Sequence, residues 1–218
     1  MTVGWKTHNL SGYKPKAFIG LVQNGIDEHY RSGQDFLYFD NAYFKRGGNR
    51  FRLIRKGFHL QRILDRPDDR WRALEIPIHP WRKTGRDVVV IPPSAYHVEL
   101  AGDRNWLNRT VKRLGEITDR PIKVKHGKGD LPAYLKDTWA VVTFASVAGV
   151  EALVMGIPVF SGPLCPTLPV SAGPIENIEK PEYLDREPLL YGLAYASWDT
   201  EELFGGKIQL EDYEYQCA

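Results

Sequence analysis

The chain has 218 residues and a mass of 24.9 kDa, with 43% apolar and 12% aromatic residues, enough for one large hydrophobic core or two small ones. No apolar run approaches the roughly 18–20 residues of a membrane helix, and the start Met-Thr-Val-Gly-Trp-Lys lacks the charged-then-apolar order of an export signal. The formal charge of +2 is unevenly spread: residues 1–90 carry 17 Lys and Arg against 9 Asp and Glu, leaving 12 against 18 for residues 91–218. A basic half of this kind suits a polyanionic partner, a solvated basic face, or pairing with the acidic half. Cys165 and Cys217 belong to no Cys-x-x-Cys or Cys/His cluster, so neither a zinc site nor a disulfide scaffold is expected, and a reducing, cytoplasmic compartment is.

In chain order, residues 17–22 and 35–40 predict two strands around a helix over 24–32, a β-α-β unit. The stretch Arg46-Gly-Gly-Asn-Arg-Phe-Arg-Leu-Ile-Arg-Lys56 alternates basic and apolar residues beside a glycine turn, as a basic hairpin or surface loop would. Prolines at 67, 77 and 80 among many charges place a hinge between Asp65 and Arg86. The chain is thereby divided into a basic half, 1–80, and a second half, 81–218. Asp87-Val-Val-Val-Ile91, stopped by Pro92-Pro93, reads as a strand buried on both faces. A helix over 105–118 follows, with Trp106, Leu107, Val111, Leu114 and Ile117 at three- and four-residue spacings. Then come a strand at 122–125, a short helix at 131–136, a strand at 139–144, a helix at 147–155 and a strand at 157–160. Alternating strands and helices predict an α/β fold with a Rossmann-like parallel sheet. A last helix, over 188–197, carries an apolar stripe of Leu189, Leu190, Leu193 and Ala194 suited to packing.

In an open parallel sheet, ligands bind beyond the carboxyl ends of the strands. Those ends deliver Ser94, the run His126-Gly127-Lys128-Gly129, Ala145-Ser146 and Ser161-Gly162. Small, hydroxylated and basic residues in adjacent loops suit a phosphate, with Lys128 and His126 adding charge. The most informative segment is Val142-Thr-Phe-Ala-Ser-Val-Ala-Gly-Val-Glu-Ala-Leu-Val-Met-Gly-Ile-Pro-Val-Phe160. Ser146 is placed to cap the helix, and Gly149 to admit a ligand or neighbouring backbone. Gly156 and Pro158 end the helix and restart a strand. Glu151, a carboxylate in an otherwise apolar helix, is costly to bury unless something binds it, and two sugar hydroxyls would do so. Solvent exposure or an arginine partner is the other account of Glu151.

This segment, preceded by a strand ending in His126-Gly-Lys, resembles the carboxyl-terminal half of GT-B-type glycosyltransferases, most nearly the capsular-polysaccharide group and related phage-type proteins. The resemblance covers about residues 86–162. Weaker echoes lie in Tyr38-Phe-Asp-Asn-Ala-Tyr-Phe44 and Leu193-Ala-Tyr-Ala-Ser-Trp198. It implies that Glu151 binds the nucleotide ribose and that the Ser146 and His126 loops hold the donor phosphates. Two departures stand out: the usual His-Pro pair is His126-Gly127, and the doubled serine is Ala145-Ser146. The length is short for two full Rossmann-like domains, implying a shortened amino-terminal half or completion by a second copy in a homodimer.

The resemblance implies transfer from a nucleotide-sugar, used as co-substrate without a further cofactor, to an acceptor hydroxyl. Lys128, His126 and the start of the helix at Ser146 would stabilise the leaving phosphate. For an inverting reaction Asp40, at a strand end in the other half, is the leading general base, with His29 and Asp27 as rivals. Retention would need no such base, and Asp40 capping a turn is the structural account. No metal-ligand spacing appears, so metal-independent chemistry is expected. Tyr43, Lys45, Arg46, Arg50, Arg52 and Arg55, followed by Arg62, Arg66, Arg70 and Arg72, would grip a phosphate backbone while aromatics stack on a base. The favoured acceptor is therefore a hydroxymethylated pyrimidine in DNA, flipped from its stack. An acidic glycan fits the same patch nearly as well. A nucleotide-sugar epimerase and a non-catalytic nucleic-acid-binding module remain as alternatives.

Overall fold

The structure is a computed structural model that describes residues 16–20, 25–46, 49–127 and 129–205. The chain forms two compact units: Met1–Leu60 with Leu193–Ala218, and Gln61–Gly192. The expected hinge at 65–86 therefore lies inside the second unit, and the chain crosses between units near 60 and near 192. The sequence after 193 returns to the first unit because it supplies a strand to that unit's sheet.

The first unit is built on a four-stranded sheet of β1 (Lys16–Ile19), β2 (Phe36–Asn41), β3 (Arg50–Arg55) and β8 (Ser197–Asp199), in that order. Strands β1 and β2 are parallel, joined through α1 (Ile26–Ser32), so the expected β-α-β unit is present. Strand β3 is antiparallel to β2 on one side and to β8 on the other. The basic segment is thus an interior strand rather than a surface loop. Its odd positions, Phe51 and Leu53, pack with Leu37, Phe39, Trp198 and Leu203. Its even positions, Arg52 and Ile54, lie opposite Asp40 and Tyr38 across the register. The following turn of structure, α8 (Thr200–Phe204), opens with a capping box between Asp199 and Glu202.

The second unit carries a wholly parallel sheet in the order β5 (Ile122–Val124), β4 (Asp87–Ile91), β6 (Thr138–Thr143) and β7 (Val159–Ser161). Every residue of β4 and β6 is buried, as continuous β-branched and apolar runs require of central parallel strands. One face is covered by α4 (Trp106–Ile117), whose Leu114, with Trp106, Leu107, Val111 and Ile117, packs on Val88, Val90, Ala140, Val142 and Phe160. Helix α6 (Ala148–Val154) follows β6 and buries Gly149, Val150, Ala152, Leu153 and Val154. Gly156, at φ +76°, closes its far end: an added Cβ there would lie 2.0 Å from the Pro80 carbonyl oxygen. That contact holds the segment before β4, with Arg82 N–H donating to Gly156 O (2.7 Å) and His79 N–H to Val154 O (2.9 Å). Helix α7 (Glu187–Tyr195) buries Leu189, Leu190, Leu193 and Ala194, the expected stripe. The short helices α2 (Asp69–Arg72) and α5 (Leu131–Tyr134) precede β4 and β6, and among the described residues no helix is long and apolar enough to cross a membrane.

Candidate functional site

The chain leaves β4 to one side to form β5 and returns to the other side to form β6, so the strand order switches between β4 and β6. Beyond the carboxyl ends of such a pair lies the usual crevice of an open α/β sheet. Ile91 and Thr143 are register partners at those ends. The Thr143 hydroxyl donates to Ile91 O (3.1 Å) and accepts from Ser146 N–H (3.4 Å), tying the two ends together. Thr143 is fully buried and Ser146 half-buried.

The loop after β4 enters α3 (Ala95–Ala101), a helix absent from the sequence expectation. Ser94 is its cap: Oγ accepts from His97 N–H (3.3 Å) and lies 3.0 Å from His97 Nδ1. The Ser146 Oγ likewise accepts from Ala148 N–H (3.1 Å) at the start of α6. Both hydroxyls therefore carry local backbone bonds and sit at the strand-to-helix turns beside the switch. Glu151 is half-buried, in line with Ala148 and Met155 at three- and four-residue steps, while the rest of α6 faces the core. Its carboxylate is not on the surface: Oε1 is buried, and Ser146 stands at the turn that precedes the helix. His126 is exposed at the end of the β5 segment. The flanking Lys125 donates to Gly127 O (3.1 Å). Lys128 lies outside the described residues.

Gly149 admits side chains rather than backbone or ligand. A Cβ there would sit 3.2 Å from Thr143 Cγ2 and Thr167 Oγ1 and 3.4 Å from Cys165 Sγ. Those side chains belong to a buried polar chain under the Ser146 loop. Ser161 Oγ is 2.7 Å from Thr167 Oγ1, which is 3.0 Å from Cys165 Sγ, and the thiol donates to Ser146 O (3.8 Å). Burial raises the Cys165 pKa, so the sulfur keeps its proton at neutral pH. The sequence signal for this chain was a serine directly after a strand, with nothing to show that Cys165 and Thr167 fold back beneath it.

The residues expected on the acceptor side lie in the first unit and are largely internal. Tyr43 is 1% exposed, its hydroxyl accepting from Leu60 N–H (2.9 Å) and lying 3.5 Å from His59 Nδ1, so its ring is not open to stacking on a base. Arg52 is 4% exposed and uses all three nitrogens: Nε to Phe58 O (3.2 Å), Nη1 to Asn41 O (2.7 Å) and Nη2 to Asp40 Oδ2 (2.6 Å). Its guanidinium also lies 5.5 Å from the ring centroids of both Tyr38 and Tyr43. Asp40 accepts further bonds from Tyr38 OH (2.7 Å) and Asn41 N–H (2.7 Å). Burial is the main cause of a raised Tyr38 pKa, so the phenol stays protonated as donor. Asp40 is thus the centre of a structural pair, with both oxygens engaged, where a general base was expected. Arg55 forms a two-point pair with Asp35 (2.8 and 2.6 Å), and Arg50 donates to Ser197 O (3.5 Å). Lys45 and Arg46 are exposed. Arg62, Arg66, Arg70 and Arg72 belong to the other unit, so the basic segment is divided between the two.

The fold is similar to that of KpsC from Thermosulfurimonas dismutans, a beta Kdo 2,4 transferase. The similarity has a TM-score of 0.51 at 12% identity and covers 87% of this chain and 85% of that one. No protein-family model matches the sequence, and no curated protein matches it. The architecture is therefore α/β and Rossmann-like, as expected from residues 86–162, and its fold is like that of this transferase.

Proposed function

We propose that this protein is a glycosyltransferase that binds a nucleotide-sugar at the carboxyl edge of its parallel sheet and passes the sugar to a hydroxyl of a glycan. The observation that carries this reading is half-buried Glu151, a carboxylate on the otherwise apolar α6, the helix entered from the Ser146 turn beside the β4/β6 switch. In this reading Glu151 accepts hydrogen bonds from ribose hydroxyls. The loops bearing Ser94, His126, Lys128 and Ser146 surround the phosphates. The likeness to a protein named as a Kdo transferase supports sugar transfer as the chemistry.

A glycan acceptor fits better than a base in DNA. Of the residues expected to stack on a base or grip a phosphate backbone, Tyr43, Arg52 and Arg55 are buried or ion-paired within the first unit, Arg50 is half-buried, and Lys45 and Arg46 are exposed. Exposed Lys45 and Arg46 suit an acidic glycan without a stacking partner. An epimerase would act on the nucleotide-sugar alone, so product analysis without acceptor separates it from a transferase.

The test is thermal stabilisation by UDP, GDP, ADP, CMP and their common sugar conjugates, measured beside Glu151→Ala. A ligand at about 100 times its Kd stabilises by about 2.7 kcal/mol. A selective shift that disappears in Glu151→Ala is the expected result. No shift with any of them would refute the donor site. Duplex-DNA affinity that falls steeply with salt and weakens in Lys45→Ala/Arg46→Ala would restore the DNA acceptor.

A further inference from the structure

We infer that the Arg186 guanidinium anchors a second ligand site, at the amino edge of the parallel sheet, that takes the carboxylate of an acidic sugar. This site goes beyond the donor reading and shares no residue with it. Arg186 stands just before α7, and its Nη2 donates to His79 O. His79 is held at the end of α6 by its own N–H, bonded to Val154 O (2.9 Å). Close by in sequence, Arg82 Nη1 donates to the carbonyls of Leu135 (2.7 Å) and Thr138 (3.1 Å), where β6 begins. Helix α6 starts from the Ser146 turn beyond the carboxyl end of β6, so its far end marks the opposite edge of the sheet.

Arg186 is 5% exposed, and its guanidinium lies 3.8 Å from the Trp81 ring centroid. Nε and Nη1 are both buried without a hydrogen-bond partner. Two carboxylates flank Arg186 in sequence, but both residues are exposed and turned elsewhere. Asp185 Oδ1 accepts from Glu187 N–H (3.0 Å), and Glu187 Oε2 accepts from Tyr191 OH (2.6 Å). Burial is the main cause of a lowered Arg186 pKa, yet a guanidinium keeps its charge at neutral pH. A buried cation with orphaned donors costs free energy until an acceptor of opposite charge meets it. A carboxylate supplies both in one planar group, whereas a dianionic phosphate would leave negative charge uncompensated against a single buried arginine. Trp81 and Tyr183 suit the rest of a sugar: both are half-buried and in edge contact at 5.6 Å, with exposed Lys83 5.7 Å from the Tyr183 centroid. Their rings offer apolar surface beside the cations. Trp81 covers one face of the guanidinium and itself reaches solvent, so displacing this ring opens the path to Nε and Nη1.

The experiment follows the melting temperature of the intact protein with D-glucuronate, acetate and D-glucose, at an ionic strength held constant with sodium chloride. Glucuronate at about five times its Kd should raise the melting temperature by about 2–4 °C and saturate. Acetate should give less, and glucose none. Arg186→Met, which keeps an apolar stem beneath Trp81, should abolish the response, while Glu151→Ala should leave it intact. Tryptophan fluorescence gives a readout that needs no change at Arg186: glucuronate should alter the emission of the unmodified protein, and Trp81→Phe should lose that change but keep the thermal shift. No shift with glucuronate, an equal shift with glucose, or a shift that survives in Arg186→Met overturns the site. Acetate acting as well as glucuronate overturns its assignment to a sugar. Loss of the glucuronate response in Glu151→Ala would also overturn it, by placing the response at the donor site. Failure of every nucleotide to bind would refute the donor site alone.

Discussion

Removing the Asp40 carboxylate separates a structural role from a catalytic one. In Asp40→Ala the Arg52 guanidinium, whose side chain is 5% exposed, loses its carboxylate contact at 2.6 Å, and Tyr38 OH loses its acceptor at 2.7 Å. Nε and Nη1 of Arg52 keep the Phe58 and Asn41 carbonyls. Breaking a buried ion pair from one side costs about 3–5 kcal/mol, and the 22% exposure of Asp40 pulls this towards about 2–3 kcal/mol because water reaches one partner. For a urea m-value of about 2–3 kcal/mol/M the midpoint should fall by roughly 1 M with m unchanged. Arg52→Met should cost a similar amount. The double variant should lose clearly less than the sum, with a coupling above about 1 kcal/mol. The assay is equilibrium urea unfolding followed by far-ultraviolet circular dichroism, paired with sugar transfer. An Asp40→Ala protein of unchanged midpoint whose transfer rate falls by about 100-fold or more would refute this reasoning and make Asp40 the general base.

Two further predictions concern the second unit. Asp87, its side chain 3% exposed, is held below the usual carboxylate range first by the hydrogen bond from Arg86 Nε (2.8 Å) and also by Lys123 Nζ (2.5 Å). A depressed folded-state pKa adds stability that is present above the unfolded value, about 3.9, and is lost as pH falls through the folded one. Asp87→Asn should therefore be less stable at neutral pH and flatten the acid limb below about pH 4; an acid limb identical to the parent protein would refute the pairing. Gly156→Ala must adopt a left-handed backbone, costing roughly 1–2 kcal/mol, and also displace the Pro80 carbonyl, so the melting temperature should fall by roughly 6–12 °C for a total near 3 kcal/mol. Calorimetry showing no change would mean that the 79–82 segment is not held against α6.

The second unit is legible in the sequence because its physics is local and repetitive. A central parallel strand is dry on both faces, so Asp87–Ile91 and Thr138–Thr143 appear as unbroken runs. Alternating them with α4 and α6 leaves few topologies. The first unit hides its fold because β3 is completed by β8, whose Ser197 pairs with Arg52 after a separation of more than 140 residues. Such pairing leaves no mark within a local window. Alternating Arg and apolar residues then resembles one wet and one dry face, although Asp40, Tyr38, Tyr43 and Phe58 close over the arginine side.

The same distinction governs what segment charge says about function. The excess of Lys and Arg in residues 1–90 is real, yet Arg52, Arg55, Arg72 and Arg86 each meet an aspartate from the same stretch. Pairing does not alter the sum, but Arg52 and Arg55 are held inside the first unit by it, whereas the side chains of Arg72 and Arg86, 72% and 66% exposed, stay accessible. The remaining excess is divided between two units. A phosphate backbone binds a continuous array of accessible cations. A sugar donor needs only a few polar groups at one sheet edge, and Ser146, Ser161 and Glu151 are brought to such an edge by β6, β7 and α6. Segment charge counts buried Arg52 and exposed Arg72 alike, so the count by itself does not choose between a nucleic acid and an acidic glycan.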